Sequence, residues 1–158
     1  MKHLAAIALG SNLASRFGDP AANIGDALLR LGELGSVRAS SSLHATAPVG
    51  YVDQPDFTNA AALLETSLEP LELLAGLLAI ERAMGRDRSA AVPAKGPRII
   101  DLDLLLMDDV VLNTPELTLP HPAMAERRFV LAPLAEIAPG MIDPRTGRTV
   151  AEMLAQLG

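Results

Sequence analysis

Several residue types and patterns are missing from this sequence, and each absence excludes a class of protein. The 158 residues include no cysteine, which excludes disulfides, thiolate nucleophiles and cysteine-ligated zinc sites. Positive charge is not in excess, because 13 Lys and Arg face 19 Asp and Glu for a formal net charge of −6. We therefore expect no nucleic-acid partner and no anionic membrane surface. No segment has the roughly 20 uninterrupted apolar residues of a membrane-spanning helix.

Hydrophobic residues make up 49% of the chain, which is enough to bury a core. The length predicts one domain over residues 1–158, and we expect a monomer. The apolar run at 3–9 resembles a signal peptide, but it is short and is ended by polar Ser11 and Asn12. We interpret it as a first strand, and expect a cytoplasmic protein.

Apolar stretches bounded by turn residues predict four strands. The last of them is expected to pair with a short strand near 110–112. Residues 47–56, with two prolines and a glycine, are predicted to form a loop. The strands are predicted at 3–9, at 36–46, at 57–66 and around Asp101 and Asp103.

Capping residues and helical spacing predict the helices. The first has Asp19 as N-cap, runs through Leu34 and stops at Gly35. The second opens at Pro70 and closes at Gly85, with Leu74, Leu77, Leu78 and Glu81 on successive turns. A loop punctuated by proline and leading into a short helix is predicted within residues 119–140, and Thr149 with Glu152 predicts a capping box for the last helix. The β-α-β-β-α-β order indicates an α+β, ferredoxin-like antiparallel sheet with flanking helices, a single-domain sandwich.

The stretch "GPRIIDLDLLLMDD" (96–109) places two carboxylates in an apolar strand. Side chains at i and i+2 share a face, so Asp101 and Asp103 point together while Ile100, Leu102 and Leu104 point into the core. A divalent cation between them would relieve their repulsion, and oxygen ligands of this kind suit Mg²⁺. The alternative is that both aspartates only solvate the outer face of a sheet.

Basic residues precede the aspartates in a loop rich in small residues and proline. Mobile arginines beside metal-binding acids are what a polyphosphate needs, although the same residues could form a solvated basic loop. Neither a P-loop motif nor a dinucleotide-binding glycine motif is present. The basic residues are Arg86, Arg88, Lys95 and Arg98.

Aromatic residues are scarce, with three Phe, one Tyr and no Trp. Phe57 and Phe129 could hold a planar heterocycle between them while Asn59 reads its edge, or both could be ordinary core residues. His121 could donate a hydrogen bond to a phosphate, or it could be an ordinary loop histidine whose hydrogen bonds are made within the protein.

Taken together, these segments resemble one family, the 6-hydroxymethyl-7,8-dihydropterin pyrophosphokinases. The resemblance rests on six motifs in order: "ALGSNL" (8–13), "DQPDFTNAA" (53–61), "IERAMGRDR" (80–88), "GPRIIDLDLL" (96–105), "LTLPHP" (117–122) and "RRFVLAPLAEIAP" (127–139). It implies a ferredoxin-like fold and transfer of the β,γ-pyrophosphoryl group of ATP to the hydroxymethyl group of the pterin, which releases AMP in folate biosynthesis.

The resemblance also implies roles for individual residues. Asp101 and Asp103 would hold two Mg²⁺ ions, and would be catalytic together with Arg86 and Arg98. The pterin-binding residues would be Thr46, Pro48, Val49, Phe57, Asn59 and Phe129. The ATP-binding residues would be Arg86, Arg88, Arg98, Thr118, His121 and Arg127.

Some residues depart from the family pattern, and other functions stay open. Lys95 and Ala94 replace a tryptophan and an arginine often found there, and Phe57 replaces a frequent tyrosine. A non-catalytic nucleotide- or pterin-binding regulator on the same fold is the main alternative, because fold does not determine function. An RNA-binding sheet fits poorly with the acidic charge and the few aromatics.

Overall fold

The computed structural model describes residues 2–16, 18–47, 55–85 and 98–158. Within these ranges, no helix has both the length and the apolar character needed to cross a bilayer. The strands are β1 (His3–Ser11), β2 (Ser36–Ser40), β3 (His44–Thr46), β4 (Phe57–Thr66), β5 (Asp101–Met107), β6 (Leu112–Asn113) and β7 (Thr118–Leu119). The helices are α1 (Pro20–Leu31), α2 (Pro70–Ala83), α3 (Arg128–Ile137) and α4 (Val150–Gln156), with a 3₁₀ turn at Met124–Glu126.

The main sheet has the strand order β2-β4-β1-β5, and β3 pairs with β4 beyond the end of β2. Every pairing in this sheet is antiparallel. Strands β1 and β2 therefore run in the same direction with β4 between them, which is the split β-α-β arrangement of a ferredoxin-like fold. The predicted fold is confirmed.

The sheet has a separate hydrophobic core on each face, because side chains alternate along β1. Ala5, Ile7 and Leu9 pack against α1 and α2. Ala6 and Ala8 belong to the other face, which α3 and α4 cover. The helices contribute Ile24, Ala27, Leu31, Leu73, Leu77 and Ile80 to the first core and Val130, Leu131, Leu134, Val150 and Met153 to the second.

A bulge in β5 controls which face its residues meet. Ile7 lies opposite Leu104, but the next residue of β1, Ala6, lies opposite Leu106. The extra residue, Leu105, packs in the second core together with Leu106. Before the bulge, Leu102 and Leu104 face the first core. Asp101 and Asp103 therefore share the opposite face, as predicted.

The first helix ends earlier than predicted. It stops at Leu31, and Gly32 is its C-cap. A Cβ at Gly35 would lie 2.2 Å from the backbone oxygen of Glu65. Gly35 is therefore needed for close approach to β4, not as a helix stop. The expected end of α2 is confirmed, because Gly85 has φ of +94° and provides the left-handed cap.

Two strand predictions were wrong. Residues 36–46 form two strands, β2 and β3, with a break between Ser40 and His44. The segment near 110–112 does not pair with β5, because β6 pairs with β7 instead. A turn after Met107, with Asp108 at φ of +50°, leads the chain away from β5. By contrast, the capping box of Thr149 and Glu152 is confirmed.

The inward face of α2 also differs from the predicted spacing. Leu77 and Glu81 are buried as part of it, but the other buried positions are Leu73 and Ile80. Leu74 and Leu78 are only half-buried. The burial of Glu81, a carboxylate on an otherwise apolar face, is not explained by helix amphipathicity.

His3 and Asp108 join the start of β1 to the turn after β5. Nδ1 of His3 lies 2.7 Å from Oδ2 of Asp108, and the Leu4 N–H donates to Oδ1 at 2.8 Å. The hydrogen bond with Asp108 raises the pKa of His3 above its usual value, with a smaller contribution from Glu69. The imidazolium form is therefore favoured in the folded state.

We predict that His3 makes the stability of the fold depend on pH. A raised folded-state pKa stabilises the protein below the unfolded pKa, and this stabilisation is lost as pH rises through the folded value. His3→Gln should lower the free energy of unfolding more at about pH 5.5 than at about pH 9, measured by urea denaturation. Equal losses at both pH values would contradict the prediction.

Candidate active site

A pocket opens on the second face of the sheet, where the covering helix α3 begins. It encloses about 770 Å³ of open space, including solvent at its mouth. The lining combines both aspartates, two arginines, two phenylalanines and one buried amide. It consists of Ala8, Leu9, Gly10, Thr46, Ala47, Phe57, Asn59, Ala60, Arg98, Asp101, Asp103, Arg127, Phe129 and Val130.

Asp101 and Asp103 form one wall of the pocket. Their neighbours across the ladder are Gly10 and Ala8 of β1, the smallest residues that could stand there. Two residues apart on a strand, the aspartate Cα atoms are roughly 6.5–7 Å from each other. Two carboxylates on a rigid strand, above a floor without bulky side chains, form a donor set that suits a hard cation.

No cluster of three or more His, Asp or Glu side chains able to hold a metal occurs in the described ranges. Magnesium usually takes one or two carboxylates and completes its shell with water and substrate phosphate. Asp101 and Asp103 therefore fit a magnesium ion held jointly with a phosphorylated substrate.

Arg98 lies between the aspartates and an aromatic ring. Its Nη1 donates to Oδ2 of Asp101 at 3.2 Å, and its guanidinium carbon is 5.7 Å from the centre of the Phe57 ring. Both contacts hold a positive charge at the edge of the pocket, where an anionic substrate group could reach it.

Asn12 ties together the chain segments that border the pocket. Its backbone N–H donates to the Arg98 oxygen at 3.1 Å, and its Oδ1 accepts from the Arg98 N–H at 2.9 Å. Its Nδ2 donates to the Pro55 oxygen at 3.0 Å, and the residue is 3% exposed. We did not predict this role. The only signal was the "GSN" turn after the first strand.

Asn59 is the buried amide of the pocket, and it is 7% exposed. Its Nδ2 donates to Oγ1 of Thr46 at 2.5 Å. A Cβ at Gly10 would lie 3.0 Å from Oδ1 of Asn59, so the glycine leaves room for the carboxamide. Gly10 was missed as a site residue, because only the pairing of β1 with β4 brings it opposite Asn59.

A polar cluster joins β3 to α3, and so links the segments that carry Thr46 and Phe129. The Ser42 N–H donates to Oε1 of Glu136 at 3.0 Å, the Ser42 hydroxyl lies within hydrogen-bond distance of both carboxylate oxygens, and His44 Nε2 also contacts this carboxylate. These bonds lower the pKa of Glu136 to about 2, and the bond from the Ser42 backbone contributes most. The carboxylate therefore stays ionised at neutral pH.

Arg127 and Phe129 lie where the 3₁₀ turn passes into α3. The Arg127 guanidinium carbon is 5.7 Å from the centre of the Phe129 ring. Each aromatic ring of the pocket thus has an arginine over it. Phe57 comes from β4 and Phe129 from α3, so the two rings predicted to act together do line one pocket.

The environment of His121 selects one tautomer. The Ala123 N–H donates to its Nδ1 at 3.2 Å, so the proton of the neutral ring lies on Nε2. Burial lowers the pKa of His121, nearby Arg127 lowers it further, and Asp101 opposes the shift. A neutral ring that carries its proton on Nε2 is a hydrogen-bond donor.

The structure brings together many, not all, of the predicted residues. Thr118, on β7, and His121 are not among the residues that line the pocket. The charges of two lining residues, Arg127 and Asp101, nevertheless act on His121. Pro48, Val49, Arg86, Arg88 and Lys95 lie outside the described residues, so their predicted roles stay predictions.

Comparison with known proteins places the chain among its relatives. A family model described as 7,8-dihydro-6-hydroxymethylpterin-pyrophosphokinase matches residues 6–139, which is most of the chain. The chain belongs to this family. The 2-amino-4-hydroxy-6-hydroxymethyldihydropteridine pyrophosphokinase of Pseudomonas aeruginosa is 46% identical over 149 residues, 94% of this chain and 88% of that protein.

Other relatives are longer than this chain. The Synechocystis protein of the same name is 49% identical over 104 residues, 66% of this chain and 52% of that protein. The folic acid synthesis protein fol1 of Schizosaccharomyces pombe is 38% identical over 98% of this chain and 20% of that protein. The chain thus spans about half of the Synechocystis protein and about a fifth of the Schizosaccharomyces pombe protein. Among solved structures, wild-type HPPK-DHPS of Plasmodium falciparum has a TM-score of 0.76 at 16% identity, over 99% of this chain and 45% of that one, which supports the fold alone.

We predict that the pKa of His121 is lower than that of an ordinary histidine, and that the neutral ring is the Nε2–H tautomer. Nitrogen-detected NMR of the imidazole should show both properties. Arg127→Gln should raise the pKa of His121, because it removes a nearby positive charge. His3, in the same spectra, is the control and should not shift. A neutral Nδ1–H form would contradict the assignment.

Proposed function

We propose that the protein transfers the β,γ-pyrophosphoryl group of ATP to the hydroxymethyl group of 6-hydroxymethyl-7,8-dihydropterin. The products are the pterin diphosphate and AMP, in a step of folate biosynthesis. One observation carries the proposal: a pair of aspartates on one strand faces the same pocket as two arginines, a buried amide and two aromatic rings. Membership of the pyrophosphokinase family supports it.

The pterin is proposed to occupy the part of the pocket formed by Phe57, Asn59 and Phe129. A planar heterocycle gains by stacking on aromatic rings, and a buried amide can read the donors and acceptors on its edge. Asn59 is held in place by Thr46, so little rotamer entropy is lost on binding. Pro48 and Val49 are proposed to complete this subsite.

The triphosphate of ATP is proposed to lie along the basic side of the pocket. Guanidinium groups bind phosphate oxygens in bidentate fashion, and the Nε2–H of His121 can donate to another. Arg98 also contacts Asp101, so it lies beside the position where phosphate and cation would meet. The proposed ATP residues are Arg86, Arg88, Arg98, Thr118, His121 and Arg127.

Asp101 and Asp103 are proposed to hold two Mg²⁺ ions together with the phosphates. Bound there, the ions would neutralise phosphate charge and polarise the transferred group. The two carboxylates fit this role because they share one face of a strand and leave coordination positions for substrate oxygens and water. The protein would keep the ions at a fixed distance from the pterin subsite.

The reaction is proposed to depend on how the side chains of the pocket position the two substrates. The pterin hydroxyl oxygen forms a bond to the β-phosphorus of ATP, and the bond from that phosphorus to the oxygen bridging the α-phosphate breaks, so AMP leaves. The hydroxyl proton passes to solvent. Asn59 and the rings hold the hydroxymethyl group, while the arginines and His121 hold the phosphates. No side chain is assigned as general base. We expect orientation and electrostatic stabilisation to supply most of the rate. We propose that the protein acts as a monomer.

The proposed activity is tested by incubating the purified protein with ATP, Mg²⁺ and 6-hydroxymethyl-7,8-dihydropterin and separating the nucleotides. AMP should form only when pterin and metal are both present. Formation of ADP would mean a different kinase. Tight pterin binding without turnover would identify a non-catalytic binding protein on the same fold.

We predict that Asp101→Asn and Asp103→Asn each abolish AMP formation while the circular dichroism spectrum is retained. Both replacements keep the side-chain shape but remove the negative charge that binds a cation. Asp109→Asn is the matched control, because this exposed residue lies just beyond the end of β5. It should retain full turnover. Near-normal turnover in both pocket variants would refute the metal assignment.

We predict that Phe129→Ala weakens pterin binding by about 1–3 kcal/mol, through lost stacking and lost apolar burial. Phe129→Leu keeps much of the apolar surface without the ring, and should lie between wild type and the alanine variant. Isothermal titration calorimetry with the pterin measures both. An unchanged dissociation constant for Phe129→Ala would rule out the proposed subsite.

A further inference from the structure

Glu81 is a buried charged residue that the proposed chemistry does not use. It lies on α2 and is only 1% exposed. The neighbouring buried residues of its helix face, Leu73, Leu77 and Ile80, belong to the first hydrophobic core. A carboxylate seldom occupies such a position unless it makes strong hydrogen bonds, because burial of an ionised group is costly.

The carboxylate of Glu81 bonds to the strand that carries the aspartate pair. The backbone N–H of Leu102 donates to Oε2 of Glu81 at 2.7 Å. Leu102 is the single residue between Asp101 and Asp103. A bond of this length to an ionised acceptor is stronger than an ordinary amide hydrogen bond.

The geometry of the sheet explains why this bond exists. In the described sheet, β5 is the outermost strand beside β1. Because the Leu102 N–H donates to Glu81, it points away from β1. In an antiparallel ladder the bonding direction alternates, so the backbones of Asp101 and Asp103 are the ones directed towards β1. The segment is thus held from both edges, by β1 and by Glu81.

We propose that Glu81 is a positioning residue for the aspartate pair. By holding the peptide between them, it keeps the two carboxylates at the separation that the cations require. Partners of this kind, which do not touch the metal, commonly change metal affinity by about 10–100-fold when they are replaced. The inference rests on the proposed metal role of Asp101 and Asp103.

Two conservative variants separate the hydrogen bond of Glu81 from its charge. Glu81→Gln keeps an oxygen acceptor at the same reach and removes the charge. Glu81→Asp keeps the charge, but is one methylene too short to reach Leu102. Leu77→Ala is the control for general destabilisation, because it removes buried apolar contacts from the same helix without touching Leu102.

The test measures Mn²⁺ binding to the protein by electron paramagnetic resonance, together with hydrogen exchange of the Leu102 amide. We expect Glu81→Asp to raise the Mn²⁺ dissociation constant by about tenfold or more and to speed exchange at Leu102. Glu81→Gln should stay close to wild type in both measurements. Leu77→Ala should lower the melting temperature and leave the Mn²⁺ dissociation constant unchanged.

The outcomes separate this inference from the proposed function. Wild-type affinity in Glu81→Asp, with clear loss in Asp101→Asn, would overturn the role of Glu81 alone. Loss in Glu81→Gln but not in Glu81→Asp would also overturn it, because charge and not position would then matter. No specific Mn²⁺ binding by the wild-type protein would instead overturn the proposed metal site itself.

Discussion

The hydrogen-bond ladder that holds β1 between β4 and β5 determines the position of the whole pocket. It sets Gly10 opposite both Asn59 and Asp101, and Ala8 opposite both Ala61 and Asp103. Asn59 and Asp101 therefore lie in one row across the sheet with Gly10 between them, and Asp103 lies in the next row of the same face, beside Ala8. A shift of one residue in either pairing would turn these side chains into the first hydrophobic core, because strand side chains alternate with a period of two.

The same alternation makes folding and function compatible. On one face β1 presents Ile7 and Leu9 to α1 and α2, which bury a large apolar area. On the other face, beside the pocket, it presents Ala6, Ala8 and Gly10, so space remains where α3 begins. The central strand thus supplies both the packing that stabilises the sheet and the floor of the pocket.

The sequence alone predicted those features that depend on local periodicity or on short motifs. The face shared by Asp101 and Asp103 follows from the period of a strand, and the capping box at Thr149 and Glu152 follows from side chains three residues apart. The errors arise where the deciding contact is distant in the sequence. Gly35 was misread as a helix stop because its constraint comes from Glu65, on β4. The separation of β2 from β3 also depends on distant contacts, because both strands pair with β4. The pairing of β6 with β7 is the exception: it is local, and each of these strands has only two residues.

The site shows the same division. Asp101, Asn59, Phe57 and Phe129, which line one pocket, were predicted from residue type and motif, because each carries a recognisable chemical group. Gly10 and Asn12 were not assigned roles, although both stand in a quoted motif, because their roles exist only after the chain folds. Gly10 leaves room for the carboxamide of Asn59 because it has no Cβ. Asn12 makes three hydrogen bonds, two with Arg98 and one with Pro55. The role of Asn12 cannot be deduced from the spacing of residues, because its partners Pro55 and Arg98 are 43 and 86 residues away in the sequence.

The bulge at Leu105 has a consequence for how the length of this strand can vary in evolution. Removing Leu105 would restore regular alternation, because Leu104 and Leu106 already lie opposite consecutive residues of β1. Every other side chain of the strand would keep its face, and only one core side chain would be lost. Removing Leu102 instead would place the two aspartates on opposite faces of the sheet. A deletion after Leu104 therefore leaves the two aspartates on one face, whereas a deletion between them separates them, so the bulge marks where the length of β5 can change without moving the aspartate pair.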